Sequence, residues 1–197
     1  MSAPIPEDAQ DQLFFNARSH NGWLDKEVSD DLLVQAWDMA RWAPTSMNCN
    51  PARITFIKSA KAKEALIPCL SEGNQKKTMK APVTAIIAID RKFYVNMPQL
   101  FPSFPGAADM FEQTDDLCKE TAFRNSTLQG AYFIIACRSL GLDCGPMSGF
   151  DAEKLDETFY KNSSFTANFL CNIGYGDVAD LYDRNRRPAF DEVCTIK

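Results

Sequence analysis

Five short clusters hold side chains that could do chemistry: ARSHN (17–21), PTSMN (44–48), NQKK (74–77), GPMSG (145–149) and RNRR (184–187). Three of them carry arginine or lysine, which suits an anion, because guanidinium forks onto phosphate or carboxylate oxygens and ammonium supplies a point charge. The other two present hydroxyls, an amide and glycines on a backbone stiffened by proline, which suits hydrogen bonding to a bound molecule. Each has a plainer alternative. Residues 44–50 could form a turn network serving only their own backbone, NQKK an exposed turn, GPMSG a strand-ending turn and RNRR a solvated basic end. The common hydrolytic sets are missing: there is no GxSxG, no HExxH, and His20 is the single histidine. A histidine-rich metal site is excluded on the same ground. GYGDVAD (174–180) lacks the third glycine of a dinucleotide-binding turn, and no Walker lysine loop is present.

The elements that must position these clusters follow from the pattern of apolar residues. The chain has 197 residues, 45% hydrophobic and 24% charged, which suits one compact domain over 1–197 or one subunit of an oligomer. A net charge of −5 argues against nucleic acid binding by phosphate neutralisation. The longest apolar runs, YFIIAC and VTAIIAI, fall far short of a membrane helix. The acidic N-terminus shows no signal-peptide pattern, and seven cysteines without a CxxC pair read as reduced, mostly structural thiols of a cytoplasmic protein.

SDDLLVQAWDMARWA predicts an amphipathic helix capped by Ser29 and ended by Pro44. RITFI predicts a strand, SAKAKEALIPCLS a helix interrupted near Pro68, GNQKKTMKAP a connection, and VTAIIAI a buried strand. Residues 91–118, rich in Phe, Pro and Gly, read as a mobile excursion. A long helix closed by Gly141 follows, then DCGPMSGF as a loop, a short helix from Asp151, the buried strand ANFLCNIGYG, and a tail over 180–197. Helices alternate with buried strands, so a layered sandwich is expected.

In this order and at these spacings the clusters resemble the FMN-dependent nitroreductase superfamily, from about residue 12 to 193. The motifs HNGW, PTSMNCNPAR, ETAFRNS, GLDCGPMSGFD and NIGYGD are similar to the branch that contains malonic semialdehyde reductases of pyrimidine degradation. The resemblance implies an α+β three-layer sandwich, a central, mostly antiparallel sheet flanked by helices, and an obligate homodimer with FMN at the subunit interface.

Carried over residue by residue, it implies that Arg18, Ser19, Arg184 and Arg187 clamp the flavin phosphate, with Arg186 as the alternative to Arg187. Asn74 and Lys77 would face the pyrimidine edge, where an ammonium stabilises the reduced ring. Asn21 stands where many members carry a second basic residue, and His20 beside it is a flavin contact or a satisfied loop histidine. Pro44, Thr45, Ser46 and Asn48 would reach across the interface to the partner's FMN. Pro146 and Met147 would line the other flavin face, with the backbone at Ser148 and Gly149 pointing at the hydride-accepting nitrogen. Lys77, Ser148 and Gly149 would therefore be the groups closest to the chemistry.

The reaction implied is ping-pong hydride transfer from NADH or NADPH to an aldehyde, in that branch malonic semialdehyde, going to 3-hydroxypropionate. Arg53 or Arg124 would hold the substrate carboxylate, Arg124 being equally a structural pair of Glu120, and residues 100–111 would form a lid or a dimer-wrapping arm. The alternatives are a general nitro or quinone reductase, an FMN-binding protein without NAD(P)H turnover, and an interaction domain that has lost its cofactor. No nucleic-acid or membrane partner is expected.

Overall fold

The computed structural model describes residues 3–197. Four strands, β1 (Ala52–Ile57), β2 (Val83–Asp90), β3 (Asp143–Met147) and β4 (Phe165–Gly174), form one sheet in the order β1-β2-β4-β3, every pair antiparallel. β2 is central and buried along its whole length. Its alternation sends Val83, Ala85 and Ile87 to one face and Ile86 and Ala88 to the other, so one β-branched run supplies two cores.

On the first face lie α2 (Asp30–Ala40) and the long α7 (Asp115–Ser139), which bring Leu33, Ala36, Phe133 and Ala136 against Val83, Ile87 and Ile173. On the second lie α3 (Ala60–Leu66) and α8 (Ala152–Phe159), packing Leu66 and Leu155 on Ile86 and Leu170. The result is the expected three-layer α+β sandwich. Local signals end the helices as anticipated: the Ser29 and Asp151 side chains accept from Leu32 and Lys154 N–H, and Gly141 takes φ +75° after α7. α2 nonetheless stops at Ala40, short of Pro44. The remaining helices are α1 (Glu7–Gln10, continuing as a π turn through Phe15), α4 (Glu72–Lys80), α5 (Met97–Leu100), α6 (Ala107–Gln113) and α9 (Phe190–Val193).

Three segments differ from the sequence reading. GNQKKTMK is not a connection but the body of α4, a polar helix that buries only Thr78. A buried chain of hydrogen bonds holds it down: Asn172 Nδ2 donates to Thr78 Oγ1 at 3.2 Å, and Thr84 Oγ1 donates to Asn172 Oδ1 at 2.6 Å. DCGPM is not a loop but β3, which tolerates Pro146 because an edge strand has backbone groups that need no ladder partner. Residues 91–118, read as a mobile excursion, form α5, α6 and the first turn of α7 around a third core of Phe93, Met97, Phe111 and Cys118. Its phenylalanines pack edge-on, Phe93 against Phe111 with centroids 4.9 Å apart.

Candidate functional site

The site is built at the β3 edge. Residues 17–24 run alongside it: Ser19 bridges Cys144, His20 N–H donates to the Cys144 carbonyl at 3.0 Å, and Leu24 N–H donates to Tyr175 O at 2.8 Å. This close approach requires Gly145, where a Cβ would collide with the His20 carbonyl.

From the other side comes the N-terminal half of α4. Asn74 Nδ2 donates to the Gly149 carbonyl at 2.8 Å, and Ser71 N–H donates to the same oxygen at 3.0 Å. Lys77 Nζ donates to Asn21 Oδ1 at 3.3 Å, tying α4 to the 17–21 loop, and burial lowers the lysine's pKa from its ordinary value. The Gly149 N–H finds no acceptor among the described residues, so a donor stands free where no Cβ obstructs it.

The tail closes the group. An Arg18 guanidinium N–H donates to Tyr182 O, and Arg184 donates to Ala17 O at 3.2 Å, so these two arginines lie at the same junction. Arg187 turns onto the carbonyls of Asn185 and Arg186, and Arg186 pairs with Glu192. A cleft of about 490 Å³ opens between α4 and this segment, lined by Asn21, Lys76, Lys77, Lys80, Asp180 and Tyr182 among others.

The structure thus brings together 17–21, 74–77, 145–149 and Arg184. It places 44–48 elsewhere, leading into β1 at the opposite edge of the sheet. That segment is held rigidly. Ser46 N–H donates to Asn125 Oδ1 at 2.8 Å, Asn48 Nδ2 to Leu100 O at 2.8 Å, and Asn50 Nδ2 to Asn48 Oδ1 at 2.8 Å. Met47, Asn48 and Asn50 adopt φ of 51°, 52° and 41°, a left-handed backbone that costs energy at non-glycine residues. The turn network exists, and Pro44, Ser46 and Asn48 remain exposed beyond it, with Thr45 half-buried.

Met147 and Arg53 sit differently from their expected roles, while His20 and Arg124 take the structural positions that were their alternatives. His20 is 4% exposed, its Nε2 is 3.3 Å from Asp143 Oδ1, and its other nitrogen packs at Gly176, so the imidazole props the loop rather than opening on the cleft. Met147 is buried in the second core, receiving Thr78 Oγ1 at 3.7 Å, which leaves Pro146 as the exposed apolar member of its pair. Arg53 is committed to Asp90 at 2.7 Å and to the carbonyls of Asn50 and Ala52, so it has no fork left for a substrate. Arg124 pairs with Glu120 one turn away. Sequence reasoning missed Ser71 and Asp143, which position Gly149 and His20, missed Lys80, and gave Lys76 no role within the NQKK cluster. The spacing of those lysines around Lys77 becomes a signal only once the segment is known to be helical.

Among the described residues no helix is long and apolar enough to cross a membrane, and no cluster of His, Cys, Asp and Glu could hold a metal ion. All seven cysteines are free, Cys194 alone exposed.

The architecture is thus an antiparallel three-layer α+β sandwich with basic groups, a free backbone donor and amides gathered at one sheet edge. The profile of the nitroreductase family matches residues 16–175, and the chain belongs to that family. It is 51% identical over 196 residues, covering 100% of both chains, to a protein of Polynucleobacter asymbioticus provisionally named NADH dehydrogenase/NAD(P)H nitroreductase. In fold it is similar to a provisionally named nitroreductase of Bacillus subtilis (TM-score 0.88, 17% identity, 98% of this chain and 100% of that one). It is also similar to one of Exiguobacterium sibiricum in complex with FMN (TM-score 0.83, 19% identity, 100% and 99% covered).

Proposed function

We propose that this protein is an FMN-dependent NAD(P)H oxidoreductase acting as a homodimer. The observation that carries the reading is the convergence of Arg18, Arg184, Asn74, Lys77 and Gly149 at the β3 edge, on a chain that belongs to the nitroreductase family. The residues present fit the cofactor. Arg18 and Arg184 supply charge-assisted donors for its phosphate, and the free Gly149 N–H and Lys77 supply donors for a polar ring edge. FMN, when bound, passes hydride between a nicotinamide and a second substrate. Lys77 holds positive charge where negative charge develops, Asn74 keeps the 147–149 turn against α4, and Pro146 excludes water on one side.

The separate position of 44–48 supports the dimer. Exposed Pro44, Ser46 and Asn48 on a rigid turn are presented outward, and a second copy would receive them at its β3 edge. Apolar side chains of α7 (Phe123, Leu128 and Tyr132) and Trp42 after α2 are exposed in one copy and suit burial against another. A cytoplasmic location is part of the proposal, on the strength of the free thiols.

For the acceptor we propose a small aldehyde, malonic semialdehyde, on the motif resemblance, with Arg124 left as the candidate for its carboxylate now that Arg53 is committed. The test is anaerobic mixing of the yellow protein with NADH and NADPH, followed by turnover with malonic semialdehyde and with a nitroaromatic. Bleaching by a nicotinamide is expected, and its absence sinks the oxidoreductase reading. Turnover of the nitro compound alone would leave that reading standing and remove the aldehyde.

A further inference from the structure

The cleft between α4 and residues 179–182 holds more positive charge than the proposed flavin set uses. Lys76, Lys77 and Lys80 all line it, and Asp180 is the one carboxylate on its walls. Asp180 is itself packed against Gly22, where a Cβ would collide with its carboxylate. Some lysines elsewhere are neutralised locally, as Lys58 is by Asp30, Lys119 by Asp115 and Lys161 by Glu157. Among the described residues neither Lys76 nor Lys80 has an ion-pair partner, although Glu72 stands four residues before Lys76. Four residues apart on one helix, the two ammonium groups project from the same face and can close on one phosphate. The helix dipole accounts for a cation at Lys80 in the last turn but not for Lys76.

On the opposite wall Tyr182 is 78% exposed, a flat ring standing free at the mouth of the same cleft. An exposed aromatic ring lining the same cleft as a pair of lysines is suited to a purine nucleotide, the ring stacking on the base and the cations taking its phosphate. Arg18 and Arg184 meet at the neighbouring junction and are assigned to the flavin's own phosphate, so Lys76 and Lys80 are free for the second nucleotide.

We propose that Lys76, Lys80 and Tyr182 form the subsite for the adenosine 2′-phosphate of NADPH, making the enzyme selective for NADPH over NADH. The proposal rests on the oxidoreductase reading above and names the co-substrate of that site. Both nicotinamides present the same adenine and pyrophosphate, so Tyr182 serves both. The extra dianion is present only in NADPH, so the lysine pair discriminates.

The experiment uses the FMN-loaded protein and measures anaerobic flavin bleaching by NADPH and by NADH. Wild type is expected to show a second-order rate constant about tenfold higher for NADPH, one tenfold step being ~1.4 kcal/mol. The preference should shrink as salt is raised. Lys76→Gln with Lys80→Gln is expected to abolish the preference by lowering the NADPH rate, with a smaller fall for NADH, whose pyrophosphate is anionic but which lacks the 2′-phosphate. Tyr182→Ala should weaken both nucleotides alike. A second readout, titration of the oxidised protein with NADP+ and NAD+ followed by flavin absorbance, does not depend on turnover. Equal wild-type rates and equal affinities overturn the subsite, as does a double variant that loses both nucleotides or its FMN. If neither nicotinamide bleaches the flavin, the oxidoreductase reading fails. The titration then decides the subsite independently, with tighter NADP+ binding that the double variant loses supporting it.

Discussion

The contact between Gly149 and α4 permits a worked test of how the site is latched. In Gly149→Ala the new Cβ would stand 2.7 Å from Asn74 Nδ2 and 3.2 Å from Ser71 Oγ. The second distance can be absorbed, but the first lies roughly 0.7 Å inside ordinary contact, so the Asn74 amide must retreat by about that much. Its 2.8 Å bond to the Gly149 carbonyl then stretches to the limit of hydrogen bonding. Loss of that bond costs about 1 kcal/mol, and residual crowding adds ~1–3 kcal/mol. Because Gly149 does not occupy the left-handed region, alanine returns roughly 0.4–1 kcal/mol by restricting the unfolded chain. The net destabilisation expected is about 2 kcal/mol, which at roughly 2–4 °C per kcal/mol for a domain of this size lowers Tm by ~4–8 °C.

Asn74→Ala alone should cost less, about 0–1 kcal/mol, since helix propensity in α4 offsets part of the lost bond. The Gly149 carbonyl also keeps the Ser71 N–H at 3.0 Å. In the double variant the colliding amide is gone. Gly149→Ala should then be close to neutral, giving a coupling of about 1–3 kcal/mol in a double-mutant cycle read by urea unfolding of the FMN-loaded protein. The single Gly149→Ala protein should also bind FMN more weakly, because the 147–149 turn that presents the Gly149 N–H loses its hold on α4. Additivity of the two substitutions within ~0.5 kcal/mol would refute the argument.

Other consequences can be checked on the same protein. Gly130→Ala on α7 places a Cβ 2.5 Å from Phe169 Cζ. The overpacking, ~1–3 kcal/mol, should outweigh the ~1 kcal/mol helix gain, and Phe169→Leu should recover most of the loss in denaturant titrations. Native thiol labelling should modify Cys194 first and leave the six buried cysteines silent until denaturant is added. Burial pushes the Cys49 thiol up from 9.0 to about 11, so the folded protein keeps a proton that the unfolded chain releases. That contribution to stability is intact below pH 9 and is lost as pH rises through about 11, so urea midpoints in alkaline buffers should fall more steeply in wild type than in Cys49→Ala, where other buried thiols and Tyr160 still contribute. Lys77→Met removes a partly desolvated ammonium, so the apo protein should not lose stability through desolvation, while the FMN dissociation constant rises about tenfold. A parallel loss of apo stability and FMN affinity would show Lys77 to be only structural.

Much of this molecule is written in short stretches of its chain. The capping of α2 by Ser29 and of α8 by Asp151, the stop at Gly141 and the buried runs of β2 and β4 depend on residues within a turn or a strand of one another, where the local chemistry acts. The five polar clusters were legible for the same reason, as residue types at fixed spacing. Folding alone decided that NQKK lies on a helix. Its polar sequence has too little apolar surface to announce one, and the Thr78–Asn172–Thr84 bonds that hold it down come from strands far along the chain. It decided that GPM is an edge strand, that Met147 points into the core and Pro146 out of it, and that Arg53 is taken by Asp90. It likewise set Asn74 against Gly149, 75 residues apart, and Lys77 against Asn21, 56 apart. Contacts of that separation are selected by how the sheet closes and which faces it buries, and no window of neighbouring residues contains that information.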